Sequence, residues 1–228
     1  MTRFTRRLYH RGVRALLLHG FAGAPQVWDG FEGDAIAMPG HGAPLHDSWQ
    51  ANLDALDTRG ATLAIGYSFG ARVALGLLAD GRVERAILIG VNPGISDEER
   101  PARRAADARW AHLLRERGIE AFVAAWEGQP LFATQHRVPE RLAARRARRL
   151  ALEPEQLARC LETMGLAEMP DYRAVVGRAT LIAGADDAKF LALAGDRVIA
   201  IPGAGHDVLL EQPEALAAVI RQLNSSRR

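Results

Sequence analysis

Ser68 stands at the centre of Gly66-Tyr67-Ser68-Phe69-Gly70, after the apolar run 61–65 and before Ala71-Arg72-Val73-Ala74-Leu75. A serine hydroxyl does little chemistry until a neighbouring base takes its proton. A strand, a sharp turn and a helix with the serine at the apex, a nucleophile elbow, is the arrangement that presents such a hydroxyl at a sheet edge. Glycines at 66 and 70 suit it, because a β-carbon at either position would collide with the adjoining strand or helix. The remaining members of a proton relay are expected later in the chain, first an acid and then a histidine. Residues 179–187 read as a strand running into a loop that ends Asp186-Asp187, and Asp187 is the expected acid by its distance from Gly184, with Asp186 as the competing candidate. Residues 199–206 read as the next strand followed by a glycine-flanked histidine, and of the seven histidines only His206 has this address.

A developing oxyanion needs backbone N–H donors close to the serine. Phe69, the residue after the serine, supplies one, and Phe21, in the loop after Leu18-His19-Gly20, is the expected second. His19 is expected to be a buried structural group, and His41 in Pro39-Gly40-His41-Gly42 to shape a turn without doing chemistry.

These groups must be held by a scaffold, and the patterning supplies one. Short apolar runs at 14–19, 34–38, 61–65, 85–91, 179–183 and 197–201 read as buried strands. They alternate with helical periodicity at 47–56, 69–79 and 213–223, the last opening on Pro213. Such alternation builds a parallel sheet flanked by helices, with right-handed crossovers. The pattern breaks between 95 and 176, a stretch rich in Ala, Arg, Leu and Glu without a strand signal. The expected plan is a core of residues 1–94 and 177–228 with a helical cap at 95–176 over the carboxyl edge of the sheet.

Composition narrows the function classes. The 228 residues carry a net charge of +2, and no apolar run approaches the length that spans a bilayer. Arg6, Arg7, Arg11 and Arg14 before Ala15-Leu16-Leu17-Leu18 imitate a signal peptide, but the four-residue apolar run is too short for one. One cysteine, Cys160, cannot form an internal disulfide, which favours a reducing, cytoplasmic setting. No metal-ligand spacing is present, so no metal or other cofactor is expected. Lys189 is the only lysine, and acids are interspersed among the arginines, which argues against nucleic acid as a partner. The exception is 137–149, where Arg141, Arg145, Arg148 and Arg149 recur at helical spacing; read alone, this is a solvated helix face. Residues 225–228 are expected to fray.

Taken together, these residues resemble the α/β-hydrolase superfamily over nearly the whole chain. Further segments resemble one branch, the 2-succinyl-6-hydroxy-2,4-cyclohexadiene-1-carboxylate synthases of menaquinone biosynthesis. They are Gly66 to Arg72, Asn92-Pro93-Gly94, Arg103 with Asp107, Trp126 with Gln129-Pro130-Leu131-Phe132, and Asp187-Ala188-Lys189-Phe190. The resemblance implies a serine acting as a general base in the elimination of pyruvate from a substrate with three carboxylates. It also implies Arg72, Arg103 and Arg149 as carboxylate anchors and Trp126 as a pocket wall. Arg145, Arg146 and Arg148 lie close enough to Arg149 for a shifted register. The chain departs from the pattern at Ala71, at Ala35-Ile36-Ala37-Met38-Pro39 and in leaving little room for opening strands, which suggests a trimmed sheet edge. The alternative on the same scaffold is a carboxylesterase or thioesterase in which Ser68 forms an acyl-enzyme; a non-catalytic ligand receptor would need a cap that clamps its ligand. Several arginines converging near Ser68 would favour the synthase.

Overall fold

The structure is a computed structural model that describes residues 14–225. Arg6, Arg7 and Arg11, the segment that would hold opening strands, and the tail 226–228 lie outside the described residues.

Six strands, β1 (Ala15–Leu18), β2 (Asp34–Ile36), β3 (Leu63–Tyr67), β4 (Arg85–Ile89), β5 (Thr180–Gly184) and β6 (Val198–Ile201), form one sheet in the order β2-β1-β3-β4-β5-β6. Every adjacent pair is parallel. The central strands read as near-continuous apolar runs because both faces are covered, whereas β2 and β6, at the edges, are only partly buried. Leu16 and Leu18 pack in a cluster with Leu75 and Leu77 of α2 (Phe69–Ala79), whereas Ala15 and Leu17 pack in a second cluster with Leu216 and Ile220 of a C-terminal helix.

Between β4 and β5 the chain is helical: α3 (Arg100–Glu127), α4 (Pro139–Leu150) and α5 (Pro154–Met164), after α1 (Trp49–Ala55) in the core. Gly118 breaks α3 with φ +71°, where glycine alone is unstrained. The cap helices bury Phe122, Val123, Leu157 and Leu161 against Ala22 of the loop after β1, so their apolar faces close over the carboxyl edge of the sheet. The core resumes with α6 (Ala188–Ala194), α7 (Val208–Glu211) and α8 (Pro213–Ser225).

Several details differ from the expectations: β2 and β4 end two residues early, at Ile36 and Ile89, and Ser225, expected to fray, closes α8. The third strand runs two residues further, to Tyr67, because Gly66 and Tyr67 pair with Leu88 and Ile89 and carry the ladder up to the turn. The short helices α6 and α7 carry too little periodicity to be read from sequence. Each is started by an aspartate cap, Asp187 accepting from Phe190 N–H and Asp207 from Leu210 N–H.

Candidate active site

The elbow follows from the glycines. A β-carbon on Gly66 would run into the backbone of Gly70, and one on Gly70 into the carbonyl of Leu18. With those positions bare, the chain reverses between β3 and α2, and Ser68 sits at φ +53°, ψ −108°. Its N–H donates to the Ile89 carbonyl at 2.8 Å, which ties the strained residue to β4. The N–H of Phe69 lies in the first turn of α2, where helix amides have no intrahelical acceptor.

Ser68 Oγ lies 3.1 Å from His206 Nε2, and His206 Nδ1 lies 2.8 Å from Asp187 Oδ2. The Asp187 carboxylate can only accept from Nδ1–H, which leaves Nε2 free to take a proton from the serine. His206 and Asp187 are buried, and Phe190 lies over the imidazole at 4.4 Å between ring centroids. Asp186, one residue away, faces outward and pairs with Arg137 at 2.5 Å. The acid that meets the histidine is therefore Asp187.

A cleft of about 290 Å³ opens above Ser68. Phe21, Phe69, Trp126 and Phe132 form its apolar side, and the cap closes on the core through ring contacts such as Phe21–Trp126 at 5.3 Å. Its polar side carries three cations, Arg72, Arg103 and Lys189, against one carboxylate, Asp107. Burial, with Arg103 nearby, pushes Arg72 down to about 10, so it remains cationic at neutral pH. Arg72 Nη1 donates to the Met164 carbonyl, and its guanidinium stands 5.2 Å from the Phe69 ring centroid. Arg103 binds the buried Asp107 through two hydrogen bonds of 2.9 and 2.8 Å, leaving its remaining donors for a ligand.

Arg149 is placed differently from the other expected anchors. It does not line the main cleft; together with Arg145 it borders an adjoining recess of about 20 Å³ beside Ser68 and Phe21, room for one water and not for a carboxylate. Its Nη1 pairs with Glu127 at 2.7 Å, and Arg145 pairs with the buried Asp207 at 2.8 Å. Arg146 goes to Glu127 and Arg148 towards Asp29, so within this helix it is the i, i+4 pair 145 and 149 that faces inward. Lys189 was not singled out from sequence as a binding group. Its signals there were its place in Asp187-Ala188-Lys189-Phe190, one of the segments that carry the resemblance, and its being the sole lysine of the chain.

Two further histidines stitch the loops beneath the site. His19 Nε2 accepts from Met38 N–H at 3.2 Å, and His41 Nε2 accepts from Ala22 N–H at 3.0 Å. Burial, with His41 beside it, pushes His19 down to about 3, and burial pushes His41 down to about 4. Both stay neutral in the folded protein where an unfolded chain's histidines, titrating near 6.5, take up protons. Stability is therefore expected to fall as pH drops from about 6.5 towards 4, by about 1.4 kcal/mol per pH unit for each histidine, and to be indifferent to both above pH 7. Urea unfolding at pH 7, 6 and 5 checks this, and equal stability at all three would contradict it.

The likeness to known proteins defines the family. The family model described as alpha/beta hydrolase family matches residues 15–219, and the chain belongs to that family, as an enzyme of its superfamily. The chain is 32% identical to the 2-succinyl-6-hydroxy-2,4-cyclohexadiene-1-carboxylate synthase of Escherichia coli O139:H28, over 91% of this chain and 92% of that protein. A putative synthase of the same name from Bacillus subtilis strain 168 is also 32% identical, over 92% and 89% of the two chains. Among solved structures, MenH from S. aureus superposes with a TM-score of 0.82 at 25% identity, covering 96% of each chain. A thermophilic esterase from Thermogutta terrifontis, TM-score 0.75 at 23% identity over 94% and 90% of the chains, shares the fold.

Proposed function

We propose that the protein is a carbon–oxygen lyase of menaquinone biosynthesis that forms 2-succinyl-6-hydroxy-2,4-cyclohexadiene-1-carboxylate by eliminating pyruvate from 2-succinyl-5-enolpyruvyl-6-hydroxy-3-cyclohexene-1-carboxylate. The observation that carries this reading is a single cleft lined both by Ser68 with His206 and by Arg72, Arg103 and Lys189. Three cations facing the serine suit a substrate with three carboxylates, since guanidinium forks bind carboxylates in pairs of hydrogen bonds. The likeness to synthases over nine-tenths of the chain supports the same reading.

In this reading His206 takes the Ser68 proton, and Ser68 Oγ removes the proton from ring carbon 2, which is acidic because it is flanked by the succinyl ketone and the ring alkene. The electron pair forms the C2=C3 bond, the old alkene moves to C4=C5, and the C5–O bond breaks to release enolpyruvate. His206 returns its proton to the departing enol, which becomes pyruvate. Phe21 and Phe69 N–H hold the ketone oxygen while it carries enolate charge, and Asp187 holds His206 in its productive tautomer. Arg72, Arg103 and Lys189 anchor carboxylates and Trp126 walls the apolar side, while Arg145 and Arg149 are held by Asp207 and Glu127. No metal or nucleotide takes part, and the setting is the cytoplasm.

The purified protein, given this substrate without added metal or nucleotide, is expected to release pyruvate, measured with a coupled dehydrogenase. Efficient hydrolysis of acyl esters with no pyruvate would instead assign it as a carboxylesterase or thioesterase.

A further inference from the structure

The loop after β1 carries strain at a functional position. Gly23 N–H donates to the Gly20 carbonyl at 3.1 Å, closing a turn whose central residues are Phe21 and Ala22. Ala22 has φ +53°, and Phe21 is not among the residues with positive φ. That is the type II arrangement, which normally calls for glycine at its third position. An alanine there favours the type I form, reached by rotating the Phe21–Ala22 peptide so that its N–H and carbonyl exchange sides.

His41 opposes that rotation. Its Nδ1 lies 2.9 Å from the Pro39 carbonyl, which can only accept, so Nδ1 carries the proton and Nε2 presents a lone pair to the Ala22 N–H. A rotated peptide would turn a carbonyl oxygen towards that lone pair. The imidazole is buried, and it packs edge-on against Phe21 at 5.2 Å and obliquely against Phe69 at 5.7 Å, the two residues whose N–H groups are the proposed oxyanion donors.

We infer that His41 is a positioning residue for the oxyanion hole: its Nε2 lone pair locks the Phe21–Ala22 peptide in the type II orientation and so holds the turn that presents the Phe21 N–H. This rests on the assignment of Phe21 and Phe69 as donors around an activated Ser68.

The test uses an organophosphonyl fluoride. Ser68 Oγ bonds to phosphorus, the P–F bond breaks, fluoride leaves and the serine proton passes to His206, while the phosphoryl oxygen occupies the oxyanion hole. Labelling of Ser68 is followed by intact mass. His41→Ala is expected to slow labelling about 10- to 100-fold, the scale of a displaced oxyanion donor. His41→Gln, which keeps an acceptor at similar reach, is expected to stay within a few-fold of wild type. Adding Ala22→Gly to His41→Ala is expected to restore part of the rate, because glycine accepts positive φ without help; a role in stability alone predicts no such recovery. Labelling of His41→Ala at the wild-type rate would overturn the inference and leave the site intact, whereas a wild-type Ser68 that is not labelled would overturn the site itself. Should His41→Ala not fold, nitrogen-15 NMR of the wild-type imidazole decides: a bare Nε2 supports the lock, and a protonated Nε2 overturns it.

Discussion

Replacing Ser68 with alanine is expected to lower kcat on the order of 10³- to 10⁵-fold, and His206→Ala and Asp187→Asn are expected to fall in the same range. The three act as one proton-transfer unit, with contacts of 3.1 and 2.8 Å between them, so the double and triple variants are expected to be scarcely worse than the worst single one. Thermal midpoints should change little: Ser68 Oγ makes its contact with His206, and Asp187→Asn keeps an oxygen to cap α6. Steady-state kinetics of the single and combined variants checks this. Multiplying losses would show that the residues act independently. Asp186→Asn should be near wild type, since that carboxylate only pairs with the exposed Arg137.

The second large effect lies on the cationic side of the cleft. Arg72→Ala and Arg103→Ala are each expected to cost about 2 to 4 kcal/mol in kcat/KM for the polycarboxylate substrate, through loss of a charge-assisted contact. Arg103 carries an additional penalty, because its removal leaves Asp107, 3% exposed, unneutralised in a cleft built for anions. Lysine should rescue either position only in part, having no planar fork. Arg149→Ala should behave differently: it breaks a buried pair with Glu127, which retains Arg146, so its cost is expected mainly in stability, about 2 to 3 kcal/mol. Kinetics with the tricarboxylate and with a neutral ester separates the cases. Equal losses on both substrates would show that Arg72 and Arg103 serve the fold.

The centre of the sheet was legible because its strands are buried on both faces: Leu16, Leu17 and Leu18 point alternately to different helices, yet all are apolar. The elbow was legible because sterics leave few residue types for positions 66 and 70. Assignment of the acid was harder. Asp186 and Asp187 differ only in which side of the loop they face, and that depends on Asp187 capping α6 and on Arg137, some fifty residues earlier, drawing Asp186 away. The inward face of α4 was equally hidden, since Glu127 and Asp207 are remote in sequence from Arg149 and Arg145. His41 looked like a turn residue, and it is one. Its contact with Ala22, nineteen positions away, exists only once β1 and β2 lie side by side.

Rapid-quench intact mass spectrometry during turnover of 2-succinyl-5-enolpyruvyl-6-hydroxy-3-cyclohexene-1-carboxylate, with pyruvate measured in the same samples, distinguishes a serine base from a serine nucleophile. A serine that serves as a base is never acylated, so pyruvate is expected to accumulate while Ser68 stays at its unmodified mass throughout. A covalent adduct on Ser68 that forms and decays at the rate of turnover, without release of pyruvate, would contradict it.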